Sequence, residues 1–410
     1  MLTHRDSGPC AAEGRLRRGY LAFSASLDTL RLDGEEHHVT RKEELRKQVD
    51  YPSDPHTRLK HAFYRRYIAC WMGKVLQGRW AKPGTIIDGF AGSGMYSDGL
   101  DGSAIMIAKL FREHLCRPNF QPLTYVTNDL DPRRCEALDG RMKALPEDDR
   151  IHHVPVGPKK FEETAAEVRK QHAPPGTQTL WIIDPYGLKQ IPWSIVAEIV
   201  KVPKNDAVIT FMADEAHRYR TNPAMMSVMN GLYGDDSWQN IPEGLSTAQS
   251  KAALVKLYCD KLEALGCHTS SFDVDVARRY TRYSLIFATH HQAGLECWNS
   301  AKWSADPTSG RGASAATAFQ PSLLEPDIQP LIDDFRKRVG IHDFTELVNQ
   351  AQILGHTEPH VRSALDELFR EGLAVRLSPA ETPKKAPWPA TSRIRVFEAG
   401  LDDDGDITEA

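Results

Sequence analysis

The chain is poor in paired cysteines, in long apolar runs and in net positive charge, and each absence excludes a class of function. Its seven cysteines (Cys10, Cys70, Cys116, Cys135, Cys259, Cys267 and Cys297) are scattered through 410 residues with no C-x-x-C pair. Neither a zinc knuckle nor an iron–sulfur site is visible in that spacing, so no intrinsic metal is expected, and reduced, mostly buried thiols are. No apolar run approaches the roughly 18 residues of a membrane span, and the polar start MLTHRDSGPC lacks a signal-peptide pattern. The cytoplasm is the expected location. Lys and Arg number 51 against 55 Asp and Glu, a net charge of −4, without the basic excess of a dedicated duplex binder.

What is present is enough apolar material, 41% of the residues, for a core in each of two domains. Residues 1–55 are charged and read as a partly ordered N-terminal extension. From residue 58 to 80 apolar side chains recur at helical spacing (Leu59, Phe63, Tyr67, Trp71), leaving Arg65, Arg66 and Lys74 off the stripe.

The most informative stretch follows, GTIIDGFAGSGMYSDGLDGS at residues 84–103. A short β-branched strand ends in Asp88 and enters a glycine turn, Gly89-Phe90-Ala91-Gly92-Ser93-Gly94, where the missing Cβ atoms let backbone approach a ligand. Free N–H groups at such a turn attract polar ligand atoms, and a carboxylate at the strand end can hold a ribose hydroxyl or an amine. The pattern fits a nucleotide or S-adenosylmethionine. It lacks the third glycine of G-x-G-x-x-G, which disfavours an NAD-type oxidoreductase.

A second strand, YVTND at 125–129, ends in Asp129, a candidate ribose ligand; the insert at 95–102 accounts for its longer than usual spacing. Strands at 151–156, 179–183 and 207–212, separated by helical or polar stretches, argue a mostly parallel sheet with crossover helices: an α/β, Rossmann-like fold. The strand at 179–183 runs into Asp184-Pro185-Tyr186-Gly187, at the carboxyl edge where open α/β sheets place their active sites. Asp184 could accept a hydrogen bond from an amine, and Tyr186 could stack on a planar base.

Helices are expected at 224–232 and 248–265, followed by strands at 283–289 and 295–303 around a turn at Gly294. His290 and His291 point apart on a strand and read as structural rather than metal ligands. Residues 306–325 read as a linker and 326–400 as a winged-helix-like domain with helices at 330–339, 344–354 and 358–370 and strands at 374–377 and 393–397. There His360, Arg362 and Ser363 are expected to face outward, and the wing carries Lys384, Lys385, Trp388 and Arg393, suited to DNA, RNA or protein contact. Residues 401–410 form an acidic tail.

Together, LKH around Lys60, IDGFAGSGMYSDGLDGS, IDPYG, the DAVITF strand and GDDSW at 234–238 resemble the three-Cys-motif partner protein family, Rossmann-like, methyltransferase-type proteins of bacteria and phages. The resemblance spans residues 60–303. It implies S-adenosylmethionine as cofactor, held by the Asp88–Gly94 turn and Asp129, with catalysis at 184–187 and Lys60 as a contact residue. It also implies a three-Cys-motif radical or iron–sulfur protein as partner. Departures exist: no acid follows the third strand, only one proline precedes the aromatic of IDPYG, and residues 60–303 hold no Pro-Cys pair of the kind a cytosine C5 nucleophile requires. Two functions therefore stand at this level, methylation of a nucleic acid or modified nucleotide, and a non-methylating subunit that presents substrate to the partner enzyme.

Overall fold

Continuously buried central strands and helical stripes sort this chain into a sheet covered on both faces. The computed structural model describes residues 48–78, 81–173, 176–277, 280–378 and 388–398. Its larger sheet has eight strands: β1 (Gly84–Asp88), β2 (Leu123–Thr127), β3 (Ile151–Pro155), β4 (Gln178–Ile183), β5 (Asn205–Phe211), β6 (His268–Ala277), β7 (Tyr280–Thr289) and β8 (Gly312–Ser314). They lie in the order β3-β2-β1-β4-β5-β7-β6-β8, with only β7 running against the rest. The expected Rossmann-like α/β fold is present.

Along β4, Leu180 and Ile182 join one core while Trp181 and Ile183 join the other. That alternation dictates a helix layer on each face. One layer contains α1 (Pro55–Leu76) and α2 (Ser103–Glu113); the helix α3 (Pro132–Lys143) flanks it through Leu138 and Met142. The opposite layer is built from α4 (Phe161–Gln171), α5 (Trp193–Val200), α6 (Ala213–Arg220), α7 (Met226–Tyr233) and α8 (Thr247–Glu263). Leu59, Phe63, Tyr67 and Trp71, the stripe read from the sequence, are all buried on α1. The segment before α1 is described from residue 48, and Asp54 caps the helix by accepting from the Thr57 N–H at 2.7 Å.

Four expectations change. Residues 295–303 are not a strand: they belong to helix α9 (Gln292–Ala305), whose Leu295, Trp298, Ala301 and Ala305 recur at helical spacing on the buried side. Gly294 lies in its first turn, and the antiparallel hairpin is instead β6 with β7. His291 caps α9 by accepting from the Ala293 N–H at 3.1 Å, while His290 bonds the carbonyls of Val200 and Gly266. Second, strand β8 lies inside the stretch read as a linker and pairs in parallel with β6. Third, Cys70 of α1 and Cys297 of α9 form a disulfide across 227 residues, so these two thiols are not reduced; Cys116, Cys135, Cys259 and Cys267 form no disulfide among the described residues. Helix packing brings the pair together, which no local pattern encodes.

The fourth concerns the carboxyl-terminal unit, which comprises α10 (Gln329–Arg336), β9 (Gly340–Asp343), α11 (Phe344–Ile353), α12 (Glu358–Arg370), β10 (Ala374–Ser378) and β11 (Arg393–Val396). Its strands form an antiparallel sheet in the order β10-β11-β9 around a separate apolar core. The unit docks on α9: Trp303 donates its indole N–H to the Gly355 carbonyl at 2.8 Å, and the Asn299 amide donates to the Gln352 carbonyl at 2.8 Å. His360 does not face outward. Its ring packs edge-on against Trp303 at 4.1 Å between centroids. Trp388, expected at an exposed wing tip, is 4% exposed and donates to Asp366 at 2.6 Å. Apolar demand within so small a core outweighs display of the indole. Lys384, Lys385 and the tail at 401–410 lie outside the described residues, as does the N-terminal extension before residue 48.

Among the described residues no helix is long and apolar enough to cross a membrane.

Candidate ligand site at the sheet switch point

The chain leaves β1 to one side of the sheet and returns to its other side at β4, so the carboxyl ends of these neighbours open a crevice where open α/β sheets bind ligands. The sequence-derived candidates converge there. Asp88 ends β1, Asp129 follows β2 and Asp184 follows β4.

Asp88 is 1% exposed. It accepts from the Ser103 hydroxyl at 2.6 Å, from the Phe90 N–H at 3.2 Å and from the Tyr125 hydroxyl at 3.4 Å. Burial pushes its carboxyl up to about 6 despite the Ser103 and Phe90 bonds. Asp129 is also buried and raised by burial; its two oxygens accept from Gly92 N–H at 3.2 Å and Asp131 N–H at 2.9 Å.

The turn between them uses its own donors. Gly89 N–H donates to the Ile182 carbonyl at 3.1 Å, Phe90 N–H to Asp88, Ala91 N–H to the Asn128 carbonyl at 2.8 Å, and Gly92 N–H to Asp129. Four consecutive amides are therefore engaged, two of them by carboxylates. This corrects the expectation of free N–H groups along the start of the turn. The first helix after it, α2, begins at Ser103, whose hydroxyl reaches back to Asp88, and the Gly102 N–H before it donates to the Gly94 carbonyl at 2.7 Å.

Glycine is required here for distinct reasons. A Cβ on Gly89 would meet the Phe161 ring at 2.7 Å, and one on Gly94, where φ is +86°, would meet Leu138 at 2.7 Å. Gly92, with φ +63°, fronts open space with nothing within 4 Å. That space is where bare backbone can meet a ligand.

Across the crevice, Asp184 forms an ion pair with Lys60 of α1, 124 residues earlier. Lys60 is therefore a member of this crevice rather than an outer contact: it is 9% exposed, while the Asp184 side chain keeps 24% exposure. Burial opposes the lysine charge, but Asp184, with Tyr283, Tyr64 and Tyr96 nearby, outweighs it and holds the ammonium well above its ordinary value. The neighbouring His61 is driven down to about 4 by burial and by Lys60, and stays neutral at physiological pH. Pro185 is buried, and Gly187 is extended next to the Glu215 carboxylate.

Tyr186 is half-buried. Its N–H donates to Gln190 Oε1 at 2.7 Å and its hydroxyl accepts from Arg134 at 2.7 Å. Burial raises the phenol well above its usual range, leaving it protonated. The same guanidinium lies 5.3 Å from the Tyr186 ring and 5.5 Å from the Tyr51 ring, and donates to the Gln48 carbonyl at 3.1 Å. Arg141 grips Asp50 with two bonds of 2.9 and 2.6 Å and the Ser93 carbonyl with a third. Tyr51 packs edge-on against Tyr96 at 5.4 Å. Residues 48–54 thus lie across the glycine turn.

Sequence reading missed Ser103, Tyr96, Arg134 and the segment 48–51. Ser103 stood inside the motif already singled out; Arg134 carried only the signal of a basic residue one turn into the helix after Asp129. Of the remaining candidates, Arg362 lies on α12, pairing with Glu358 at 2.5 Å and covering the Phe344 ring, and Arg393 is exposed on β11. Both are on the carboxyl-terminal unit, apart from the crevice cluster.

No protein-family model and no curated protein matches this chain. Among solved structures it is similar to an O-methyltransferase from Bacillus cereus in complex with SAH, at 11% identity and a TM-score of 0.33, covering 62% of this chain and 88% of that one. It is similar also to Trm1 from Pyrococcus horikoshii with S-adenosyl-L-methionine, at 9% identity and a TM-score of 0.34, covering 84% and 91%. A third, PKMT2 from Rickettsia typhi, has 9% identity and a TM-score of 0.28, covering 60% and 57%.

Proposed function

We propose that this protein is an S-adenosylmethionine-dependent methyltransferase acting on a nucleic acid or modified nucleotide. The observation that carries the reading is the acidic glycine turn. A pyrophosphate needs free amides and a helix N-terminus, whereas here four amides are spent and buried carboxylates frame the crevice. Such a site favours a ligand that is cationic and carries hydroxyls rather than phosphates. S-adenosylmethionine has both a sulfonium and an amine, and the fit extends to Gly92, whose missing side chain leaves room at the backbone.

The reversed β7 between β5 and β6 supports the same reading, since the dinucleotide-binding order places the sixth strand directly beside the fifth. Asp129 and Gly92 would hold the adenosyl end and Asp88 would fix the turn. When bound, the cofactor supplies an electrophilic methyl group. Asp184 would orient the acceptor or take its proton at a carboxylate oxygen, Tyr186 would stack on it, and the strap at 48–54 would exclude water. The carboxyl-terminal unit, whose three helices and small antiparallel sheet support a winged-helix-like reading, would steer nucleic acid through Arg393 and Arg395, both exposed on β11.

Calorimetry with S-adenosylmethionine and S-adenosylhomocysteine tests the reading: both should bind, NAD should not, and Asp129→Asn should weaken both at least tenfold. Absence of binding by either ligand overturns it. For turnover, methyl-labelled cofactor is incubated with RNA or DNA; Asp184→Ala should abolish transfer while leaving cofactor affinity largely intact.

A second reading follows from Lys60, which already occupies one oxygen of Asp184. On that reading the protein is a cofactor-binding subunit that presents substrate to a three-Cys-motif radical or iron–sulfur enzyme. Co-purification of a tight complex with no label transfer would favour it.

A further inference from the structure

Lys60 and Asp184 leave complementary hydrogen-bonding capacity unused. An ammonium has three donors, and Lys60, 9% exposed, has Asp184 Oδ2 as its one hydrogen-bond partner among the described residues. Asp184 in turn spends Oδ2 on the lysine, while Oδ1 has no hydrogen-bond partner among them. A buried charge with unmet donors is costly, so an acceptor arriving from the crevice would be held strongly. The pair therefore offers a donor and an acceptor side by side.

We infer that Lys60 and Asp184 together read the lactam edge of an oxo-nucleobase, a ring carbonyl adjacent to a ring N–H, as in guanine and uracil. The carbonyl accepts from Lys60 Nζ and the ring N–H donates to Asp184 Oδ1. Two features select this class. The groups are neighbours, so the ligand must present acceptor and donor on adjoining atoms of one edge; a ring lactam does so, whereas a trans peptide bond points them in opposite directions. The surroundings are aromatic: the Tyr283 ring lies 5.9 Å from the ammonium, and the half-buried Tyr96, Tyr51 and Tyr186 continue outward, with Arg134 over the last two. Flat rings stack on such walls. Adenine and cytosine present an amino group where the lactam has its carbonyl, and would set that donor against the lysine.

The inference rests on the proposed acceptor site at Asp184, but its test is independent of cofactor and of turnover. Binding of GMP, UMP, AMP and CMP to the full chain is measured by saturation-transfer NMR and calorimetry, with S-adenosylhomocysteine titrated separately. GMP and UMP should bind at least tenfold more tightly than AMP and CMP. Asp184→Asn, which conserves volume, should erase that preference while leaving S-adenosylhomocysteine affinity within twofold, and Lys60→Met should weaken GMP and UMP at least tenfold. Equal affinity for all four nucleotides, or no binding by any, overturns the inference even when S-adenosylhomocysteine binds. A GMP and UMP preference without S-adenosylhomocysteine binding supports it and removes the cofactor reading instead.

Discussion

Arg134 donates a 2.7 Å hydrogen bond to the hydroxyl of Tyr186, tying the helix after β2 to the tetrapeptide after β4, and with its other nitrogen reaches the Gln48 carbonyl at 3.1 Å. One guanidinium thus holds both the proposed stacking ring and the strap that crosses the turn. Arg134→Ala should destabilise the fold by about 2–3 kcal/mol, because it removes the hydrogen bonds of a charged group that is itself buried. It should also free the strap. Urea unfolding reads the first effect, and faster tryptic cleavage at Lys47 reads the second; unchanged cleavage would show that Arg141 and Asp50 alone hold the segment.

Gly92 and Gly94 should part company on substitution. Gly94→Ala places a methyl 2.7 Å from Leu138 and 3.0 Å from Ile105 at a positive φ, so it should destabilise by about 2–4 kcal/mol. Gly92→Ala meets no atom and should fold with a cost of about 1–2 kcal/mol. Its methyl instead projects into the ligand space, and S-adenosylhomocysteine affinity should fall at least tenfold by calorimetry.

Two buried carboxyls set a pH dependence of unusual sign. Asp88 and Asp206 are both pushed up to about 6, chiefly by burial, so between roughly pH 4 and 6 the folded chain holds protons that the unfolded chain has released. Their contribution is fully present below about pH 4 and is lost as the pH rises through 6. Asp206 accepts from the Trp71 indole at 2.8 Å and the Thr289 hydroxyl at 2.5 Å, bonds an amide can partly reproduce. In Asp206→Asn, the decline in unfolding free energy between pH 4 and 7 should therefore shrink by about 3 kcal/mol, read from urea melts at the two pH values.

The Cys70–Cys297 disulfide joins α1, which carries Lys60, to α9, on which the carboxyl-terminal unit docks. A cross-link closing so long a loop should stabilise by about 2–4 kcal/mol. Dithiothreitol should lower the urea midpoint of the native protein and leave the Cys70→Ser, Cys297→Ser double variant unaffected.

Strands β1, β2, β4 and β5 were legible because each is a short, almost fully buried run rich in β-branched residues, and the glycine turn because its residue types are imposed by local backbone geometry and close packing. Helix α9 was misread because its tryptophans and small residues suit a strand as well as a helix when viewed a few residues at a time. Only their 3.6-residue recurrence over the full length of the helix separates the two. Trp388 and His360 were misplaced for another reason: exposure depends on what packs above a residue, and the docking of α12 on Trp303 is set by α9, far away in sequence.

Local sequence determined where β1, β2, β4 and β5 lie in the chain, the acidic residues at the ends of β1, β2 and β4, and the glycines between them, since these obey short-range sterics and continuous burial. Tertiary packing alone decided that Lys60 meets Asp184 across 124 residues, that Arg134 spans the crevice, and that the Gly92 amide is spent on Asp129. Ion pairs and buried hydrogen bonds depend on distances between elements, which chain order does not specify until the sheet and its two helix layers have closed.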